Sequence, residues 1–316
     1  MTPGPLGIFL RGMAMGAADL VPGVSGGTVA LITGVYGRLL AALSAFDHRA
    51  LTLLWQRDFR GLWQHLDAAF LVTLGAGIAA AIFSFAGVLR FLLQTQPLPL
   101  WSFFCGLVLV SCWHLARTEL REAGLTAGTG VLLGVLAMVV IGLAPAMVMP
   151  QHMGAFFFAG VLGICAMILP GISGSFILLI LGMYEAILTA VVERDFAALA
   201  VFALGCAVGL LLFSRLLQRL LNDARQPTMA VLIGLLMGSI VILWPWQEVL
   251  QTLVDRHGEP RPVRTWPVTP WEYAQVHGSA EMLACLLSGL LGGGLVQVLQ
   301  RLASWPEENE LAKRAP

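Results

Sequence analysis

Two apolar stretches, about 5–44 and 154–192, are too long for a single membrane crossing, and each is cut at its centre by a proline–glycine pair, Pro22-Gly23 or Pro170-Gly171. Proline ends a helix by removing a donor and clashing with the preceding turn. The arms on either side of each break are about 14 to 17 residues, roughly 21–25 Å as helix, short of the ~30 Å of bilayer hydrocarbon. Irregular backbone at that depth is tolerated only where protein or a water-filled cavity surrounds it. The pattern predicts two re-entrant helical hairpins whose tips lie inside the membrane.

The two breaks are copies of one another. Pro22-Gly-Val-Ser-Gly-Gly-Thr-Val-Ala-Leu-Ile-Thr-Gly-Val-Tyr36 aligns without gaps on Pro170-Gly-Ile-Ser-Gly-Ser-Phe-Ile-Leu-Leu-Ile-Leu-Gly-Met-Tyr184, identical at eight of fifteen positions. Apolar bias supplies a shared leucine or isoleucine, but hardly the proline, serine, glycines and tyrosine together. Weaker likeness follows: Gly75…Phe83-Ser84 resembles Gly205…Phe213-Ser214, and Gln96-Pro97 resembles Gln226-Pro227. Six further stretches are long enough to span, at roughly 69–94, 99–117, 125–149, 196–221, 228–253 and 280–303. The expected fold is an all-α polytopic membrane protein of two repeats, 1–150 and 151–316, each a hairpin followed by three transmembrane helices.

Composition agrees. The chain is 58% hydrophobic and 11% charged, with a mean hydropathy of +0.84, against roughly 25% charge in a soluble domain. Net charge is zero and no basic run exists, so nucleic acid is not an expected partner. The N-terminal stretch has no basic leader and carries Arg11 and Asp19, which reads as retained chain rather than a signal peptide. The five cysteines lie in apolar segments without metal spacing and read as packing thiols. No histidine pair has ligand spacing, so neither metal nor cofactor is expected.

Parity sets the orientation. A hairpin returns to its own side, so a hairpin plus three crossings inverts the second half. One face then collects Arg49, Arg57, Arg60, Arg117, Arg121, Arg219, Arg225, Arg301, Lys313 and Arg314, and the other only Arg194, Arg256, Arg261 and Arg264. Positive charge marks the cytoplasmic side, which puts both termini on the cytoplasmic face of an inner membrane. Counting each broken region as one crossing would spread the arginines over both faces. Trp55, Phe59, Leu62, Trp63 and Leu66 have helical spacing over about 53–67 and predict an amphipathic helix on the inner surface. The segment 255–279, with four prolines, Trp266, Trp271 and Tyr273, predicts an ordered outer loop.

Chemistry centres on the breaks. Ser25-Gly26-Gly27-Thr28 and Ser173-Gly174-Ser175 expose backbone N–H groups where a half-helix begins, which suits an anion. Two such tips opposed near mid-membrane are a usual secondary-transporter site; the plainer alternative is that the glycines only permit close packing. Arg11 and Arg38 are candidate phosphate partners, Asp19 and Glu185 candidate carriers of a coupling proton or cation. Arg38 and Glu185 also stand where side chains snorkel to the interface. Gly23-Val-Ser-Gly26 and Gly171-Ile-Ser-Gly174 contain the Gly-x-Ser-Gly string of an intramembrane serine hydrolase, yet no histidine lies near a span centre to act as base. A small-anion channel or carrier stays open.

Arg11-Gly12…Met15-Gly16-Ala-Ala-Asp19-Leu-Val-Pro22-Gly-Val-Ser-Gly-Gly-Thr28…Gly34-Val-Tyr36, with Pro170-Gly-Ile-Ser-Gly-Ser175, resembles the PopT-type polyprenyl-phosphate transporter family over nearly the whole chain. The resemblance implies a polyprenyl-phosphate partner, returned as undecaprenyl phosphate from the outer to the inner leaflet for peptidoglycan and other envelope synthesis. It also implies a head group held by Arg11, Ser25, Gly26, Gly27, Thr28, Ser173, Gly174 and Ser175, and a proton or sodium ion as coupling partner. The copies are unequal: Met167 stands opposite Asp19, and Phe176 opposite Thr28. The sequence leaves the oligomeric state open.

Overall fold

A computed structural model describes residues 4–20, 25–121, 124–144, 147, 149–150, 152–254 and 260–314. The first break, Pro22-Gly23, lies outside the described residues. Helix α1 (Pro5–Asp19) is followed by α2 (Gly26–Ile32) and α3 (Tyr36–Ser44), then by short surface helices α4 (His48–Trp55) and α5 (Phe59–His65). Next come α6 (Ala68–Thr95), α7 (Pro97–Glu119) and α8 (Leu125–Leu143). The order then recurs as α9 (Met153–Ile168), α10 (Gly174–Ile180), α11 (Tyr184–Glu193), α12 (Phe196–Asp223) and α13 (Arg225–Gly238), which runs into α14 (Ile240–Leu243). Strands β1 (Gln247–Val254) and β2 (Pro260–Pro267), helix α15 (Pro270–His277) and the long α16 (Met282–Arg314) complete the chain. The protein is a mostly helical, multi-pass membrane protein, in which α6, α7, α12 and the run Arg225–Leu243 are each long and apolar enough to cross a bilayer.

The four most extensive helix pairings form two matching sets. Helix α1 lies along α6 as α9 lies along α12, and α8 lies along α13 as α16 lies along α7. The seams are built on glycine, the usual device where apolar helices must approach closely in lipid. A Cβ at Gly12 would strike the Leu74 carbonyl, and one at Gly77 the Phe9 carbonyl. The second seam repeats this with Gly160 on Phe202 and Gly205 on Phe157. Gly77 therefore answers to Gly205, two places from the Gly75 pairing that sequence likeness suggested; Gly75 faces open space. Likewise Gly134 and Gly234 abut Val231 and Val131, as Gly292 and Gly106 abut Phe103 and Gly289. Where one copy loses a glycine its partner gains one. Gly16 takes Ile78 and Ala81, while in the second copy Gly209 takes Ile164.

Three expectations need correction. Beside the helices, β1 and β2 form one antiparallel ladder from Gln247↔Pro267 to Val254↔Pro260. That ladder occupies the end of the expected 228–253 span, and β2 with α15 builds most of the expected outer loop 255–279. Trp244 precedes Pro245, which pushes it into extended backbone and ends the helix. The expected span 125–149 ends at Leu143 for the same reason, Ala144 being extended before Pro145. The surface segment is two helices, not one: Arg57 turns left-handed at φ 57° and Asp58 caps α5 by accepting from Gly61 N at 2.8 Å. Trp55, Phe59 and Trp63 point outward, with 88%, 65% and 52% of their surface exposed.

The hairpins themselves also differ from two straight arms. Each return arm bends, by 116° between α2 and α3 and by 104° between α10 and α11. Gly34 (φ 74°) and Gly182 (φ 68°) sit at the bends in left-handed backbone. Around each, two hydrogen bonds close a Schellman turn, Val35 N–Ala30 O (3.0 Å) with Gly34 N–Leu31 O (3.3 Å), and Met183 N–Leu178 O (2.9 Å) with Gly182 N–Leu179 O (3.0 Å).

Candidate functional site

Ser25, Thr28 and Tyr36 of the first hairpin meet the backbone around the second break, and the first helix start is already full. The first N–H groups of an α-helix have no partner inside it. At α2, Gly26 N donates to Asp19 Oδ1 at 2.6 Å, Gly27 N to Ser25 Oγ at 3.1 Å, and Thr28 N to Ser25 O at 2.9 Å. The donors expected to cradle a phosphate thus hold the protein's own groups, and the Asp19 carboxylate stands where an external anion would stand. Ser25 and Thr28 are buried, each 1% exposed.

Arg11 serves the other end of the same short helix. Its Nε donates to Thr33 O at 3.1 Å, where the C-terminal carbonyls of α2 collect, and its Nη1 to Gly7 O at 3.2 Å. Helix α1 runs antiparallel to α2, and eight residues of α1 cover about 12 Å, close to the length of α2. One helix therefore offers a carboxylate to the positive end of its neighbour and a guanidinium to the negative end.

Side chains of the first hairpin also grip the backbone of the second break. Thr28 Oγ1 accepts from Gly171 N at 2.8 Å, Tyr36 donates its hydroxyl to Ile168 O at 3.1 Å, and Ser25 Oγ reaches Leu169 O at 3.3 Å. Gly171 is left-handed at φ 86°, and a Cβ there would lie 3.0 Å from Leu235 O and Leu236 Cα. Among the described residues no side chain of the second hairpin returns the favour.

The second tip is built differently. Ser173 caps α10 with its backbone alone, its Oγ lying 2.9 Å from Ser175 Oγ. Ser175 is exposed, Ser173 and Gly174 are half-exposed, and Met167 stands at the position that corresponds to Asp19. Among the described residues no carboxylate closes this helix start. Among the described residues neither motif serine meets a histidine, the base that a serine hydrolase uses. Among the described residues no cluster of three metal-ligating side chains forms.

The remaining candidates lie away from the tips. Arg38 forms a two-point pair with Asp67 at 2.6 and 3.0 Å and lies 4.4 Å above the Phe70 ring. It ties α3 to the start of α6. Glu185, in the first turn of α11, is half-buried and has no ion-pair partner among the described residues. Two contacts bring distant segments to one end of the molecule. Arg225 pairs with Glu119 at 2.9 and 3.1 Å, joining α13 to α7, and Arg215 donates to Ser44 O and Phe46 O. Of the cysteines, Cys105, Cys112 and Cys285 are buried, Cys165 and Cys206 half-buried, and all are free.

Comparison with known proteins decides the family. The model of the undecaprenyl phosphate translocase-like family (VCA0040-like) matches residues 15–261. The chain belongs to that family. It is 39% identical over 300 residues to a polyprenyl-phosphate transporter of Vibrio cholerae serotype O1, covering 94% of this chain and 97% of the relative. It is 32% identical over 255 residues to a polyprenyl-phosphate transporter of Staphylococcus aureus, covering 75% of this chain and 85% of the relative. No solved structure matches the chain. Within this family member, Tyr36, Gly34 and Asp67 do work that the sequence reading passed over. Gly34 and Tyr36 had a signal available, since both recur as Gly182 and Tyr184; Asp67 had none.

Proposed function

We propose that this protein carries polyprenyl phosphate, as undecaprenyl phosphate, from the outer to the cytoplasmic leaflet of a bacterial inner membrane. The family and its two transporter relatives support the substrate class. In this reading the chain is two inverted repeats, 1–150 and 151–316, with both termini cytoplasmic. Recurrent glycine seams support the repeats. The Arg225–Glu119 and Arg215–Phe46 contacts support the inversion, because parity assigns those four segments to one face, the arginine-rich one.

The observation that carries the site is the contrast between the tips. The N–H groups at the first tip already hold a carboxylate, so the motif has the electrostatics to hold an anion. At the second tip Met167 stands in place of that carboxylate, and the Ser173 and Ser175 hydroxyls lie beside the helix start. The lipid phosphate binds at Ser173, Gly174 and Ser175, its tail remaining in the bilayer. It reaches Ser25, Gly26, Gly27 and Thr28 only when Asp19 withdraws from Gly26. Protonation, or a sodium ion taken up by the carboxylate, releases Asp19 and couples ion to lipid. Arg11 gives countercharge from the cytoplasmic side. Such coupling balances the charge that a phosphate carries against the membrane potential. Arg38 and Glu185 act as fixed charges near the hairpin ends.

The test uses proteoliposomes containing fluorescent polyprenyl phosphate and measures leaflet exchange with a membrane-impermeant quencher. Intact protein accelerates exchange over empty vesicles, and the double substitution Ser173→Ala with Ser175→Ala reduces it at least tenfold. Exchange no faster than in empty vesicles overturns the reading, as does rapid inorganic anion flux without lipid movement.

A further inference from the structure

Three bonds that cross between the hairpins, to Gly171 N, Ile168 O and Leu169 O, surround the second break from one side. They come from residues 1–3% exposed, so water is not at hand to replace them. The turn they hold is sterically defined, since Gly171 is left-handed and has the Leu235–Leu236 backbone against it. It lies directly before Ser173 and Ser175. We infer that Thr28 and Tyr36 are positioning residues for the second tip: their hydroxyls fix Gly171 N and Ile168 O, and thereby aim the Ser173–Ser175 edge at which the lipid phosphate binds.

The inference rests on the proposed phosphate site, but it makes a claim about the halves that the site alone does not. The grip runs one way. The residue that corresponds to Thr28 is Phe176, which has no hydroxyl to offer. Tyr184 corresponds to Tyr36, yet it is half-buried and makes no hydrogen bond among the described residues. The first hairpin is thus the frame and the second the part that is framed. While the phosphate lies at the second tip, a substitution at Thr28 acts through Gly171 rather than by contact with lipid, whereas the change at Tyr184 that corresponds to Tyr36 acts on nothing.

Two readouts test this. Ser175→Cys, placed in a chain whose native cysteines are replaced by alanine, reports the exposure of the tip through its labelling rate with a water-soluble maleimide. Lipid exchange reports function. Thr28→Val keeps the shape but leaves Gly171 N without an acceptor, and loss of one buried partner corresponds to about tenfold. We expect Thr28→Val and Tyr36→Phe each to change the labelling rate and to lower exchange by about that factor. Thr28→Ser should restore both, and Tyr184→Phe should alter neither. Unchanged labelling in Thr28→Val and Tyr36→Phe overturns the inference. So does a loss of exchange that follows the melting temperature alone, or an equal effect from Tyr184→Phe. If labelling shifts as expected while the intact protein moves no polyprenyl phosphate, the framing stands and the proposed substrate falls.

Discussion

Two glycines on one helix should respond to alanine with opposite signs. On α6, Gly75 has nothing within 4 Å of a Cβ, whereas at Gly77 the Cβ would strike the Phe9 carbonyl oxygen and lie 2.9 Å from Met13 N and 3.0 Å from Gly12 Cα. Helix propensity favours alanine at both sites by at most ~1 kcal/mol. At Gly77 the obstacle is backbone on α1, which cannot rotate away as a side chain tip would. Restoring ordinary contact requires the α1–α6 seam to open by roughly 1 Å, and such a gap forfeits a quarter to a half of each contact's ~0.1–0.2 kcal/mol. Over on the order of 20 to 40 atom pairs along the seam, the loss is about 0.5–4 kcal/mol, a range that contains the 1–3 kcal/mol typical of overpacking. The expected order in apparent melting temperature in detergent is therefore Gly75→Ala at or above the parent and Gly77→Ala below it by several degrees, at roughly 2–4 °C per kcal/mol. Gly205→Ala, which meets the Phe157 carbonyl in the second seam, should fall with Gly77→Ala. The reasoning is refuted if Gly77→Ala matches or exceeds Gly75→Ala.

Other outcomes follow from named contacts. Asp47 caps α4 by accepting from Ala50 N at 3.0 Å, and this bond, aided by His65, holds its carboxyl below the ordinary range. A lowered value means the cap is fully present above the unfolded pKa near 4 and is lost as pH falls through the folded value; amide exchange over Leu51–Leu54 in nanodiscs should quicken there, and Asp47→Ala should remove the pH dependence. Arg38→Lys gives up both the two-point bond to Asp67 and the stack on Phe70, so melting should show a loss of about 1 kcal/mol. Arg225 pairs with Glu119 but is largely exposed, so Arg225→Ala should register only about 0–0.5 kcal/mol; a larger loss there than at Arg38 would contradict the burial argument.

The interruption of both apolar runs was legible because its cause is local. A Pro-Gly pair inside an apolar run ends a helix whatever surrounds it, and finding it twice at Pro22 and Pro170 removed chance. The bends at Gly34 and Gly182 were legible in principle, since a glycine shared by both copies asks for a backbone that only glycine adopts freely. The spans at 125–149 and 228–253 were overdrawn because average hydropathy does not register Pro145 and Pro245, single residues that stop a helix outright. The seam register was missed by two places because composition-rich stretches align almost equally well at several offsets. Only the collision of Gly205 with Phe157 separates them. At the site, the sequence identified the donors but not their occupants. Whether Gly26 N faces a ligand or Asp19 depends on how α1 folds back on α2, which is a tertiary fact.

That tertiary fact gives a physical reason for two copies to diverge. A buried helix start must satisfy its N–H groups, either from the protein or from a ligand. If both tips awaited a ligand, the empty protein would carry two sets of unpaired donors within the membrane, where each orphaned group is expensive. If both were closed by a carboxylate, neither would have room for a phosphate. With Asp19 at one tip and Met167 at the other, the first is complete without substrate and holds Gly171 and Ile168, while in the proposed cycle the second keeps its donors for the phosphate. Moving the acid to the other copy, as Asp19→Met with Met167→Asp, should therefore not conserve function. Gly26 N would lose its acceptor, the frame would slacken, and a carboxylate would stand at the start of α10 in place of the phosphate. Proteoliposomes with this exchange should show both a lowered melting temperature and lipid exchange at the level of empty vesicles. Parent-like transport from the swapped protein would mean that the tips are interchangeable, and that the asymmetry of the breaks plays no part in the transport cycle.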